Sequence, residues 1–173
     1  MENSYTVRDA KPTEFEQIGE LMVKVYSQLD GFPTAEEQPD YYKMLAEIGE
    51  LTKNEGIRLF TAVNEKDEIV GAVVYIKDMK DYGSGGIATM EQNAAGFRLL
   101  AVDPEARGKG IGKLLTNACI DQAKEDGRGQ VIIHSTEAMD IAWGMYEKIG
   151  FKRSIDLDFQ QGRLPVFGFR LLV

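Results

Sequence analysis

Residues 97–112 read FRLLAVDPEARGKGIG, a short apolar run that leads into a turn of glycine and basic residues. The run from Phe97 to Val102 predicts a buried strand, which ends at Asp103-Pro104 because proline has no N–H to donate to a neighbouring strand. Apolar residues then recur at helical spacing, at Ile111, Leu114, Leu115 and Ala118. The sequence therefore predicts a strand, a turn and a helix in direct succession.

The predicted turn has the properties of a phosphate-binding site. Glycine has no Cβ to block a ligand, and the first N–H groups of a helix have no partner within the helix. The helix dipole adds positive potential at the same end. A helix that begins in this way is suited to bind a phosphate. The residues expected to do so are Arg107, Gly108, Lys109, Gly110, Ile111, Gly112 and Lys113.

Two common nucleotide-binding motifs do not fit this turn. A Walker loop needs Ser or Thr after its lysine, whereas Lys113 is followed by Leu114. A dinucleotide fingerprint needs GxGxxG directly after the strand, whereas the pattern here is GxGxG after a charged link. Glycines that serve only to pack a strand against a helix are the remaining structural alternative.

Two motifs in order resemble the GCN5-related N-acetyltransferase superfamily. They are R-x-x-G-x-G, carried by Arg107, Gly110 and Gly112, and MYEKIGF at residues 145–151. The resemblance implies an α/β (α+β) fold: a mixed, mostly antiparallel seven-stranded sheet flanked by about four helices. It also implies that acetyl-CoA is the co-substrate, with its pyrophosphate on the glycine turn.

The resemblance assigns roles to further residues. The pantetheine arm is expected along the backbone of Leu100, Ala101 and Val102, where an N–H near Leu100 would polarise the thioester carbonyl. Tyr146 matches the tyrosine that protonates the departing thiolate, and a buried core tyrosine is its structural alternative. Met139 stands where the family often has an asparagine that contacts pantetheine. This departure removes one expected cofactor contact.

The general base and the acceptor site are less defined. Many relatives carry a glutamate near the position of Gly96, so the candidates here are Glu91, His134 or a water held by backbone carbonyls. Arg98 is expected on one strand face with Gly96 and Leu100, where it would bind a carboxylate or phosphate of the acceptor. A structural ion pair of Arg98 and a hydrogen-bonded core His134 are the alternatives.

Length, net charge and cysteine content restrict the classes of function that this chain could have. A chain of 173 residues with a net charge of −8 is expected to form a single domain, 1–173, that does not bind nucleic acid. Residues 97–173 carry 11 basic and 10 acidic side chains, against 9 and 18 in residues 1–96, so the half with the glycine turn suits an anionic cofactor. The single cysteine, Cys119, predicts a reducing compartment and a small buried side chain. With no apolar leader or membrane-spanning run, a cytoplasmic protein without a metal is expected.

The remaining elements follow from hydrophobic periodicity. A helix with a capping box from Thr13 to Glu16 and a second helix capped by Asp40 should precede a hairpin. A loop from Lys77 to Gly96 follows, in which residues 87–90 could prolong a strand. The predicted strands are Tyr5–Asp9, Ile57–Val63, Ile69–Ile76, Phe97–Val102, Val131–Ser135, Phe151–Phe159 and Arg163–Val173, with a further helix at Asp140–Lys148 ended by Gly150.

These observations predict an acetyl-CoA-dependent N-acetyltransferase that acts on a small-molecule or peptide amine by direct transfer. An acidic region, residues 30–55, and Arg98 together suit an acceptor that is both an amine and a carboxylate. A non-catalytic acyl-CoA-binding regulatory module and an anion-binding interaction protein remain open, and so does a homodimer.

Overall fold

The computed structural model of the chain describes residues 4–83 and 85–173. Its strands are β1 (Thr6–Asp9), β2 (Ile57–Val63), β3 (Ile69–Ile76), β4 (Ala94–Val102), β5 (Gln130–Ser135), β6 (Lys152–Arg153), β7 (Phe159–Gln161) and β8 (Leu164–Leu172). Its helices are α1 (Phe15–Ser27), α2 (Pro39–Ala46), α3 (Ile111–Glu125) and α4 (Asp140–Ile149). Short 3-10 turns join several of them.

These elements fall into two compact units that are not successive along the chain. The first unit runs to Val74 and resumes from Leu99 to Ala118, and the second unit comprises Tyr75–Arg98 and Cys119–Val173. The strand order is β1-β2-β3-β4 in the first unit and β4-β5-β8-β6 in the second, where β7 also pairs with β8. The predicted mixed, mostly antiparallel α/β sheet is confirmed, with β4 and β5 as a parallel pair.

The sheet has eight described strands rather than the predicted seven, because Phe151–Phe159 does not form one continuous strand. A 3-10 turn at Ile155–Leu157 interrupts it. The Asp158 carboxylate accepts the Gly168 N–H at 2.8 Å and pairs with Arg153 at 2.8 Å. These contacts come from β8 and β6, so the apolar pattern of the segment alone could not indicate them.

In the first unit, α1 packs closely on α2. A Cβ at Gly19 would collide with the backbone of Ala46. Helix α1 follows a 3-10 turn, Pro12–Glu14, and the predicted capping box from Thr13 to Glu16 is wrong. The Glu14 carboxylate instead accepts the Lys11 N–H at 2.8 Å.

In the second unit, β5 buries Val131, Ile132 and Ile133, and α4 ends at Gly150 as predicted, with φ of +122°. Strand β4 begins at Ala94, three residues earlier than predicted. Residues 88–90 form a 3-10 turn, so the alternative that they prolong a strand is wrong. Across residues 4–83 and 85–173, no helix combines the length and apolarity needed to cross a bilayer.

Candidate functional site

The turn after β4 holds its glycines in a conformation that other residues rarely adopt. Gly108 and Gly110 have φ of +78° and +80°, and a Cβ built on either would meet no atom within 4 Å. The Gly110 carbonyl accepts the Leu114 N–H at 3.0 Å, which begins the hydrogen bonding of α3. The N–H groups ahead of Leu114 therefore have no acceptor within the helix. Open space lies beside backbone donors, which is the arrangement a bound phosphate requires.

Three basic side chains flank this turn. Arg107, Lys109 and Lys113 are exposed, and within residues 4–83 and 85–173 no carboxylate lies within 4.0 Å of them. Ile111 is buried instead and anchors the first turn of α3 beside Gly71. The predicted phosphate-binding residues thus combine open backbone donors, unpaired cations and one packing anchor. This donor set fits the pyrophosphate of a coenzyme A ester.

Strand β4 is continuous from Ala94 to Val102 but has one irregular residue where it approaches the turn. Leu99 has φ of +61°, a left-handed conformation that is uncommon for residues other than glycine and that a β-bulge uses. The next residue, Leu100, accepts the hydroxyl of Tyr26 on its carbonyl at 3.1 Å. Tyr26 belongs to α1, so α1 fixes the backbone of Leu100. Strain of this kind, about 1–3 kcal/mol, is often found at functional sites.

The other two backbone positions predicted to contact pantetheine are Ala101 and Val102. Ala101 is buried, and its carbonyl oxygen would lie 2.9 Å from a Cβ at Gly71. Gly71 therefore permits close approach of β3 to β4. The parallel register of β4 with β5 covers Ala94, Ala95 and Gly96, so it ends well before Val102.

In the second unit, Tyr146 lies on α4 in an aromatic cluster. Its ring is 5.9 Å from Phe97 and 5.8 Å from Phe151, with edge-on geometry in both pairs. Tyr146 is 5% exposed, and its hydroxyl donates no hydrogen bond within the described ranges. Burial raises the pKa of the Tyr146 phenol, so the proton is retained at neutral pH. The side chain is both a core residue and an unengaged proton donor.

His134 is hydrogen-bonded through both ring nitrogens. Nε2 lies 2.9 Å from the Leu157 carbonyl and Nδ1 lies 3.2 Å from the Tyr82 hydroxyl. A carbonyl only accepts, so we assign the proton to Nε2, and the Tyr82 hydroxyl then donates to Nδ1. Burial and the nearby Arg98 charge lower the pKa of His134. These contacts match the structural alternative for His134 better than the role of a base.

Glu91 is engaged in an ion pair. Its Oε1 lies 2.8 Å from the Arg170 guanidinium, which also pairs with Asp156. The hydrogen bond from Arg170 lowers the pKa of Glu91. A carboxylate held in this way is a poor proton acceptor at neutral pH.

Arg98 lies on the second unit's part of β4 and is half-buried. One of its guanidinium N–H groups donates to the Tyr82 carbonyl at 3.0 Å. The alternative role for Arg98 is a structural ion pair. In the described part of the chain, however, no carboxylate lies within 4.0 Å of its guanidinium. The sequence prediction that Arg98 contacts a substrate therefore remains a prediction.

Comparison with known families agrees with this geometry. A sequence model of the acetyltransferase (GNAT) family matches residues 20–151, which is most of the chain. This chain is a GNAT family member. Mycothiol acetyltransferase of Thermobispora bispora is 36% identical over 64 residues, which are 36% of this chain and 22% of that protein. The chain spans about a fifth of the length of the curated relatives it matches.

Solved structures of GNAT proteins share the fold across nearly the whole chain. An acetyltransferase of the GNAT family from Staphylococcus aureus Mu50 has a TM-score of 0.74 at 19% identity, covering 98% of this chain and 99% of that one. Spermidine N-acetyltransferase from Vibrio cholerae, in complex with CoA and spermine, has a TM-score of 0.65 at 17% identity, with 97% and 95% covered.

Sequence reasoning missed three hydroxyl groups in this GNAT chain. Tyr26 was assigned no role, although its hydroxyl contacts Leu100. Ser135 and Thr136, at the end of β5, bury their hydroxyl oxygens without a hydrogen-bond partner in the described residues. An unsatisfied buried hydroxyl costs about 1–3 kcal/mol, so such groups often await a ligand. For Ser135 and Thr136, small polar residues at the end of an apolar strand are the signal that the sequence offered.

Proposed function

We propose that this GNAT protein is an N-acetyltransferase that moves an acetyl group from acetyl-CoA to a small-molecule or peptide amine. The open, cationic glycine turn that begins α3 carries this proposal. Gly108, Gly110 and the first N–H groups of α3 would hold the pyrophosphate, with Arg107 and Lys109 as counter-charges. The coenzyme A ester supplies an acetyl group already activated as a thioester.

The backbone around Leu100 would hold the thioester. An N–H group there donates to the carbonyl oxygen as negative charge develops on it, a type of contact worth about 3–4 kcal/mol. Tyr26 supports this role because its hydroxyl fixes the Leu100 carbonyl. The buried hydroxyls of Ser135 and Thr136 are candidates for the cofactor contact that Met139 cannot make.

Tyr146 would act as the general acid. As the amine nitrogen attacks the carbonyl carbon, the C–S bond breaks and the sulfur takes the Tyr146 proton. Burial raises the pKa of this phenol, and it would raise the pKa of a departing thiol in the same surroundings, so the two remain comparable. The acceptor ammonium must lose one proton to water before its nitrogen can attack, since His134 and Glu91 are both engaged elsewhere. The second proton, released from the nitrogen as the amide forms, restores the Tyr146 phenol by way of water.

Direct transfer fits the state of the single cysteine. Cys119 is fully buried, and burial raises the pKa of its thiol well above the usual range. A thiol that stays protonated is a poor nucleophile. An acetyl-enzyme on Cys119 is therefore not part of this proposal.

A non-catalytic acyl-CoA-binding module is the second candidate, because Glu91 is tied to Arg170 and no carboxylate stands at Gly96. Calorimetric titration with acetyl-CoA, followed by an assay of thiol release over an amine panel, separates the possibilities. Binding with amine-dependent thiol release supports the enzyme. Binding without release over the whole panel supports the binding module, and no binding refutes both.

A further inference from the structure

Arg98 differs from the other half-buried arginines of this chain. Within residues 4–83 and 85–173, a carboxylate lies within 4.0 Å of Arg8, Arg58, Arg128, Arg153 and Arg170. Arg107 and Arg163 have no such partner but are exposed. Arg98 alone among the described arginines is partly buried without a carboxylate. Removing a charge from water without a counter-charge is costly, so this arrangement indicates a ligand.

The Arg98 guanidinium is held in a defined orientation. One N–H group donates to the Tyr82 carbonyl at 3.0 Å, and the guanidinium carbon lies 6.0 Å from the centre of the Tyr82 ring. Gly83 has φ of +72°, and a Cβ there would lie 3.1 Å from the guanidinium. The absence of a side chain at Gly83 therefore leaves space for the arginine. Arginine has five N–H donors, and in the described residues one of them is bonded to Tyr82.

Within residues 4–83 and 85–173 no carboxylate lies within 4.0 Å of Arg98, and Asp158, a charged neighbour of His134, is already paired with Arg153. His134 is neutral, since its ring is buried and hydrogen-bonded to Leu157 and Tyr82. Burial raises the pKa of the Tyr82 phenol, so this group is neutral as well. A planar guanidinium with unused donors in such surroundings matches the paired oxygens of a carboxylate.

We propose that Arg98 binds a carboxylate of the substrate, so that the acceptor is an amine that also carries a carboxylate, as amino acids do. The inference rests on the proposed acetyl transfer. An acyl donor with a terminal carboxylate is the other possible source of the same group.

The test compares each L-amino acid with its decarboxylated amine as acceptor for acetyl-CoA. The wild type is expected to favour the amino acid by about 10- to 100-fold in kcat/KM, the range for a charged hydrogen-bonded pair, mainly through KM. Arg98→Gln should bring that ratio to about 1. Arg98→Lys, which keeps the charge but not the fork, should give an intermediate ratio.

Arg163→Gln is the matched control, because it removes one positive charge from an exposed position. It should keep the wild-type ratio, and all variants should keep the wild-type affinity for acetyl-CoA. Equal ratios in the wild type and Arg98→Gln would overturn the proposal while leaving acetyl transfer intact. A parallel comparison of succinyl-CoA with acetyl-CoA identifies the source: an effect of Arg98→Gln on succinyl-CoA alone assigns the carboxylate to the donor.

A binding measurement tests the role of Arg98 even if no amine is acetylated. Calorimetry with N-acetyl-L-phenylalanine and with N-(2-phenylethyl)acetamide compares product analogues that differ only in the carboxylate. The wild type should bind the first about 10- to 100-fold more tightly, and Arg98→Gln should not distinguish them. Absence of a difference in the wild type would refute the role of Arg98, whereas failure of acetyl-CoA to bind would refute the acetyltransferase.

Discussion

The glycine turn in the first unit and the polar cluster around His134 in the second unit use their hydrogen-bonding groups in opposite ways. In the turn, Gly108 and Gly110 border open space, and the neighbouring cations are exposed. In the cluster, both ring nitrogens of His134 are occupied. Polar groups that are satisfied hold the fold, whereas groups left open at defined positions await a ligand. Arg98 and Tyr146, in the second unit, resemble the turn in this respect, because each keeps hydrogen-bond donors that the described residues do not use.

Tyr146→Phe gives the largest effect that we expect. Loss of the general acid should lower kcat by a factor of about 10² to 10⁴ and leave the affinity for acetyl-CoA unchanged. Measurements are steady-state kinetics and calorimetry on a variant that retains its fold. Wild-type turnover would return Tyr146 to the group of purely structural aromatic residues.

Gly110→Val tests whether the open space beside the glycine turn holds the pyrophosphate. The valine side chain would fill the space proposed for the pyrophosphate, so acetyl-CoA affinity should fall by at least about 100-fold. Positive φ also costs about 1–2 kcal/mol of stability. Gly127→Val is the control, since Gly127 has φ of +74° and open space too, but lies after α3. Equal acetyl-CoA affinities in the two variants would place the phosphates elsewhere.

Glu14→Gln tests a satisfied pair. The hydrogen bond from Arg8 lowers the pKa of Glu14 to about 2, so this carboxylate stabilises the fold above its unfolded pKa of about 4.5 and the gain is lost as the pH falls toward 2. At pH 7 the variant should lose about 1–3 kcal/mol in the free energy of unfolding. Glu50→Gln removes an exposed pair with Lys53 and should change stability by less than about 0.5 kcal/mol. Similar losses in both variants would contradict the distinction.

His134→Gln gives the smallest effect, and it is specific to pH. The folded pKa of His134 is lowered by burial, so the unfolded chain takes up its proton first and the wild type loses stability as the pH falls below about 6.5. The slope should reach at most about 1.4 kcal/mol per pH unit. Arg98, Tyr82 and Asp158 are the neighbouring charged or titratable groups. The variant has no histidine, so its free energy of unfolding, measured with denaturant, should hardly change from pH 7 to 5.5. A pH dependence like that of the wild type would show that other groups cause it.

The turn was predictable because its signals are local. Strand, glycines and helix lie within residues 97–125, and hydrophobic spacing, Pro104 and the positive-φ glycines act over a few residues. Local patterns therefore predicted the element order and the conformation of the glycine turn.

Contacts distant in sequence were not predictable. Glu91 pairs with Arg170, 79 residues away, and Tyr26 bonds to Leu100, 74 residues away. The break in Phe151–Phe159 follows from the bond between Asp158 and Gly168. In each case a charge or hydroxyl could have met several partners, and only the folded topology selects one.

The burial of Cys119 makes the protein a convenient host for a reporter group. The chain has one cysteine, it is fully buried, and burial raises the pKa of its thiol. A disulfide dye added to follow coenzyme A release should therefore read the product without a background from the folded protein. Glu105→Cys, at an exposed position just before the glycine turn, would supply the single reactive thiol. A fluorophore attached there would report ligand arrival without any other cysteine being replaced.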